Sequence, residues 1–177
     1  ESRIISDSVN LEGLSTTKQL ETTYSQCNEN KLLCAGYPNR CVQSRNCEIL
    51  SSSKKFDKNG TVQFRLFATL KPTITHYYVA LSLSSTPKMG GSVVYCYVNG
   101  KGVGQIGSGY IKGYAVISDY NDGIQLNNQV TFQDSILSCQ WLRSALTVVD
   151  GTQYDFLNNK YYILLAKGNM DGGKNFE

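Results

Sequence analysis

The residues of this chain with the most distinctive chemistry are six cysteines, two methionines and one histidine. Cys27, Cys34, Cys41 and Cys47 follow one another at intervals of seven, seven and six residues, with Cys96 and Cys139 much further on. Zinc sites space paired thiolates about two to four residues apart, so this looser, even-numbered set reads as three disulfides and not as metal ligands. Disulfides persist in oxidising compartments, and the sequon Asn59-Gly60-Thr61 offers Asn59 as a glycosylation site in agreement with secretion. Cys96 and Cys139 each sit in a strand pattern next to large residues that should face the core, so they are expected to bond to each other. The four earlier cysteines would then pair among themselves, in an order that spacing does not fix.

His76 is the only histidine, so any Ser-His-Asp or Cys-His chemistry would have to use it. No Gly-x-Ser-x-Gly elbow accompanies it, and a half-exposed position at a strand edge accounts for it equally well. The 14 carboxylates lie in polar stretches with no spacing that marks an acid/base pair. Met89 stands out because it lies in the loop Ser84-Ser85-Thr86-Pro87-Lys88-Met89-Gly90-Gly91, where core filling is no reason for a methionine. Its thioether could be a soft ligand for haem iron, or a flexible plug folded over the end of a sandwich. Gly102-Val103-Gly104-Gln105-Ile106-Gly107 spells the dinucleotide fingerprint GxGxxG. A strand pattern follows where the fingerprint needs a helix N-terminus, so a glycine-rich turn is the expected reading.

The elements that would position these residues are mostly strands. In 177 residues, 41% are hydrophobic and 18% charged, with 12 tyrosines, a length and composition that suit one domain rich in pleated, half-buried strands. Val62, Phe64, Leu66, Ala68 and Leu70 alternate with polar residues at the period of two that a sheet with one buried face demands. Tyr77, Val79, Leu81 and Leu83 repeat the pattern, and Val93 to Val98, Tyr110 to Ser118, Val130 to Phe132 and Ile136 to Leu142 add further strands. Tyr161 to Ala166 is an unbroken apolar run, expected to be a strand buried on both faces. The expected fold class is therefore all-β, an immunoglobulin-like β-sandwich of antiparallel sheets. A disulfide-stapled N-terminal loop, Cys27 to Cys47, precedes it, and residues 1–26 form a polar arm, or a single helical turn, anchored by Leu11, Leu14 and Leu20. Leu66, Val79, Leu81, Cys139 and Trp141 are expected in the core.

No run approaches the roughly 18 apolar residues of a membrane span, and the chain is expected to be soluble. It carries no signal peptide, and Glu1 is expected to mark a processed or engineered start. A net charge of +3, spread along the chain, lacks the basic clusters that nucleic acid requires.

The order of elements from Tyr77 onward resembles the DOMON family, in its ferric-chelate-reductase-like and dopamine β-monooxygenase N-terminal types of extracellular module. The residues that carry the resemblance are Tyr78 to Ser84, Lys88-Met89-Gly90-Gly91 through Cys96, Gly109-Tyr110, Ile136 to Trp141, and Tyr161 to Gly168, with the four-cysteine lead-in before them. The resemblance implies a DOMON-like sandwich over 27–177 that in many members holds haem b between a Met in the Met-Gly loop and a His shortly after the last Ala-x-Gly strand. Met89 falls on the first position. After Ala166-Lys167-Gly168 the chain has no His, which leaves Met170, His76 or a residue beyond Glu177 as the second ligand.

The implied function is haem binding for electron transfer or carriage, with a membrane cytochrome or another redox partner. The alternative is a haem-free module that takes a carbohydrate, a small apolar ligand or a partner protein, with tyrosines such as Tyr110, Tyr114 and Tyr120 for stacking. Either would be a secreted protein or the ectodomain of a membrane protein, and a binding or electron-transfer domain more than an enzyme by itself. In both readings Met89 and its loop, Thr86 to Gly91, line the ligand site.

Overall fold

The structure, a computed structural model, describes residues 13–56, 60–70, 76–99, 101–113, 115–118, 123–171 and 175–176. Asn59, Leu11, Tyr114 and Tyr120 lie outside the described residues.

Alternation of apolar and polar residues produces two antiparallel sheets. The first holds, in spatial order, β1 (Leu33–Tyr37), β2 (Ile49–Phe56), β3 (Thr61–Thr69), β9 (Ile136–Ser144) and β8 (Ile124–Gln133). The second holds β13 (Asn175–Phe176), β12 (Tyr162–Asp171), β4 (Tyr77–Ser84), β5 (Gly91–Val98), β6 (Gly104–Lys112) and β7 (Ala115–Ser118). A separate hairpin joins β10 (Leu146–Val149) to β11 (Thr152–Asp155), and two helices, α1 (Thr16–Asn28) and α2 (Cys41–Ser44), precede the sandwich or interrupt its first strands.

Phe64, Leu66 and Ala68 of β3 face Val79, Leu81 and Leu83 of β4, and with Cys96, Leu137, Cys139 and Trp141 they form the core between the sheets. All five residues expected in the core are buried there. Cys96 on β5 bonds to Cys139 on β9, with Cα atoms 6.4 Å apart, so this bridge ties one sheet to the other through the core. Cys27 bonds to Cys34, and Cys41 to Cys47.

The opposite phase of the same strands is buried too, and here the structure departs from the sequence reading. Leu50 and Phe67 point to the outer face of the first sheet, where Leu20, Tyr24, Cys27, Cys41 and Cys47 cover them. Within the described part of the expected arm, Thr16–Asn28 form a 13-residue helix, capped by the Ser15 side chain, that presents Leu20, Tyr24 and Cys27 one turn apart. The stapled segment is no mere loop: it contributes β1, which pairs with β2 from Leu33↔Ser53 to Tyr37↔Ile49, and its disulfides pack in this second cluster. The Tyr110–Ser118 run is two strands, β6 and β7, that turn back at Gly113.

The glycine fingerprint also resolves into structure. Asn99 accepts hydrogen bonds from the backbone N–H groups of Lys101 and Val103 in a tight turn, and β6 follows directly. Gly104 and Gly107 lie where a Cβ would collide with Val130 and with the Tyr95 ring, so these glycines serve close packing of β6 and bind no phosphate through a helix.

Candidate functional site

The open side of the sandwich lies between β1, an edge of the first sheet, and β12. Sequence suggested burial of β12 on both faces, yet only β13 pairs along its outer side, at Met170 and Asp171. The remainder is an edge, with Tyr162 and Ile163 51% and 37% exposed. Here a cleft of about 770 Å³ opens.

Strand alternation builds its floor and walls. Val62 and Phe64 come from β3, Leu83 from β4, Ile163 from β12, Leu33 from the start of β1 and Leu32 from just before it. Leu33 is 77% exposed at the mouth of the cleft. Phe156 and Tyr161, from the segment between β11 and β12, complete the apolar wall, and Asn30, Lys31, Ser53, Lys54, Asn159 and Lys160 form a polar rim.

The aromatic wall is fixed by contacts behind it. Trp141 stacks on Phe64 at 5.4 Å between centroids, Phe64 meets Phe156 edge-on at 6.0 Å, and Phe156 meets Tyr161 at 5.2 Å. The backbone N–H of Asp155 donates to the Tyr161 hydroxyl at 2.7 Å, which sets the angle of that ring. The Asp155 carboxylate accepts from the backbone N–H groups of Leu157 and Asn158 and from the Asn158 side chain. These bonds hold its pKa below the ordinary value and pin the loop that carries Phe156.

Beneath this wall lies Arg143 of β9, 1% exposed. Its Nε and Nη2 donate to the Thr147 hydroxyl at 3.0 and 2.8 Å, and Nη1 donates to the Ser92 hydroxyl at 2.9 Å. The guanidinium stands 4.9 Å from the ring centres of both Tyr154 and Phe156. No ion pair among the described residues involves it. Burial accordingly lowers its pKa to about 10, while the neighbouring phenols of Tyr154 and Tyr161 act in the opposite sense. The sandwich therefore keeps a positive charge directly behind Phe156.

A second cleft, of about 690 Å³, opens at the other end of the same side, between α1 and the start of β4. Leu20, Tyr24 and Tyr77 line it with two charge pairs, Arg45–Glu21 at 3.6 Å and Lys167–Glu48. Its charges are matched internally, which suits a structural seam.

The residues proposed from sequence as ligands fall in neither cleft. Met89 is 61% exposed in the β4–β5 loop, and that loop is shaped by Gly91, where φ is +88° and a Cβ would strike the Leu83 carbonyl oxygen. His76 precedes the other end of β4 and is exposed. Met170 follows Asn169, which pairs with Tyr77, so its backbone lies at the His76 end. The eight-residue β4 spans about 23 Å at ~3.3 Å per residue, and Met89 is separated from Met170 and His76 by that length. Two axial ligands of one iron must stand within a few ångströms of each other. The described residues thus do not fit a haem held by Met89 with either Met170 or His76. Tyr110, suggested as an exposed stacking platform, is instead partly buried against the core.

Sequence reading missed Phe156, Tyr161, Ile163, Lys54 and Arg143 as site residues. The apolar run at Tyr161 was visible, but nothing local indicates that a strand lies at a sheet edge. Among the described residues, no helix is long and apolar enough to cross a membrane.

Comparison with known proteins adds a family match and one relative. The model of the DOMON domain matches residues 45–168. A protein of Drosophila melanogaster named as a ferric-chelate reductase 1 homolog is 28% identical over 148 residues. The match takes in 82% of this chain but only 22% of that protein. No solved structure matches at a significant level.

Proposed function

Since this chain belongs to the DOMON family, we propose that it is an extracellular ligand-binding module whose site is the cleft between β1 and β12, occupied without haem. The observation that carries this reading is the fixed aromatic wall of Phe64, Phe156 and Tyr161, facing open apolar side chains at the edge of a disulfide-tied sandwich. Ligand sites are commonly concave, mostly apolar and pre-formed, with a few polar groups at the mouth. The three disulfides support a place outside the cytosol.

The test is binding of an uncharged solvatochromic dye such as Nile red, read by its fluorescence. Tyr161→Ala removes one wall and should weaken binding about tenfold, as burial of much of an aromatic ring predicts. Unchanged dye affinity in a folded variant would refute this site.

A second reading is haem carriage for electron transfer to a membrane cytochrome, with Met89 as an axial ligand. The reductase in the name of the Drosophila relative favours it. The span between Met89 and both Met170 and His76 counts against it.

A further inference from the structure

The geometry points to an organic anion with an apolar body, such as a medium-chain carboxylate, as the ligand of the β1–β12 cleft; this rests on the cleft being the binding site. The rim carries Lys31, Lys54 and Lys160, and no carboxylate lines the cleft among the described residues. The nearby acids are already engaged: Glu29 pairs with Lys31 at 2.7 Å, and Asp155 is held by the amides of its own turn. Among the described residues, neither Lys54 nor Lys160 has a carboxylate within ion-pair distance.

The positive charge extends below the rim. Among the described residues Arg143 has only hydroxyl and aromatic partners and lies behind Phe156, so the wall that a ligand would touch is backed by a cation with no ion-pair partner among those residues. Field lines from a buried charge are less screened than those from a solvated one. A ligand with its apolar body against Leu33, Leu83 and Ile163 would place its head near Lys54 and Lys160. An anionic head meets complementary charge there, and a cationic head meets repulsion.

The contrast with the second cleft sharpens the assignment. There each lysine or arginine has its own glutamate, Arg45 with Glu21 and Lys167 with Glu48, so the site offers no net charge to a ligand. The two clefts have similar volumes, and only the first combines apolar walls with unmatched cations.

The experiment compares decanoate, decanol and decylamine, which share one apolar body, by titration calorimetry at low salt. Decanoate should bind roughly tenfold tighter than decanol, and decylamine weakest of the three. The advantage of decanoate should shrink in high salt, and it should vanish in the double variant Lys54→Gln/Lys160→Gln with decanol affinity unchanged. Lys160 is exposed and Lys54 half-buried with no ion-pair partner among the described residues, so a thermal melt should confirm that the variant is folded. Equal binding of decanoate and decanol would overturn the anion assignment while leaving the cleft in place. Preferential binding of decylamine would overturn its sign, and no binding by any of the three would remove the cleft itself as a ligand site.

Discussion

At the scale of single residues, buried polar groups set the chemistry of this domain. Arg143 hydrogen-bonds to Thr147 and Ser92 in place of a carboxylate, so the interior retains its charge. The phenols of Tyr24, Tyr77, Tyr78, Tyr97 and Tyr154 all have pKa values above the ordinary 10.0, with burial the leading cause in each. These raised values translate into a pH dependence of stability. The unfolded chain ionises its tyrosines near pH 10 while the folded chain holds their protons, so this contribution is complete below pH 10 and is lost above it. Arg143, lowered by burial to about 10, and Arg65, lowered by the same cause, act in the opposite direction, but they are two groups against five. Urea denaturation followed from about pH 8 to 11 should therefore show a falling midpoint above pH 10. A flat or rising profile would mean that the phenols are not buried as described.

At the scale of elements, the strands are the most legible part of the sequence. The alternation over Thr61–Thr69 and Tyr77–Ser84 fixes which face of β3 and β4 meets the core, and the structure keeps that phase at Phe64, Leu66 and Ala68 of β3 and at Tyr77, Val79, Leu81 and Leu83 of β4. β2 escaped notice because Ser51-Ser52-Ser53-Lys54-Lys55 has no apolar side chain to mark a period, and its strand is imposed by pairing with β1 and β3. α1 escaped because Thr16, Thr17, Thr22 and Thr23 are weak helix formers, and it is stabilised by packing Leu20 and Tyr24 on Leu50 and Phe67. The cleft was illegible for a different reason: its residues come from five separated stretches, and only the edge position of β12 brings them together. A pair of substitutions tests the element assignments. Leu81→Ala in the middle of β4 should cost about 2–5 kcal/mol, whereas Met89→Ala in the exposed loop should stay within about 0.5 kcal/mol of the parent. Chemical denaturation measures both, and a Met89→Ala loss as large as that of Leu81→Ala would make Met89 a core residue.

At the scale of the whole molecule, two sheets tied by Cys96–Cys139 carry a helix and two further disulfides on one outer face and leave one side open between β1 and β12. The open side gathers apolar walls, unmatched lysines and a buried arginine, and the ends of β4 hold the methionine and histidine residues apart. Family membership and the resemblance of Lys88-Met89-Gly90-Gly91 to a ligand loop were both visible in the sequence, but the distance from Met89 to the other candidate ligands becomes visible only when β12 is seen to run antiparallel to β4. The proposed DOMON module takes its ligand in the cleft and without haem. The most direct measurement is the visible absorption spectrum of the purified protein titrated with hemin and then reduced with dithionite. The account predicts the spectrum of free hemin throughout, with no low-spin Soret band at one equivalent and none after reduction. A stoichiometric low-spin Soret band that Met89→Ala converts to high spin would contradict it.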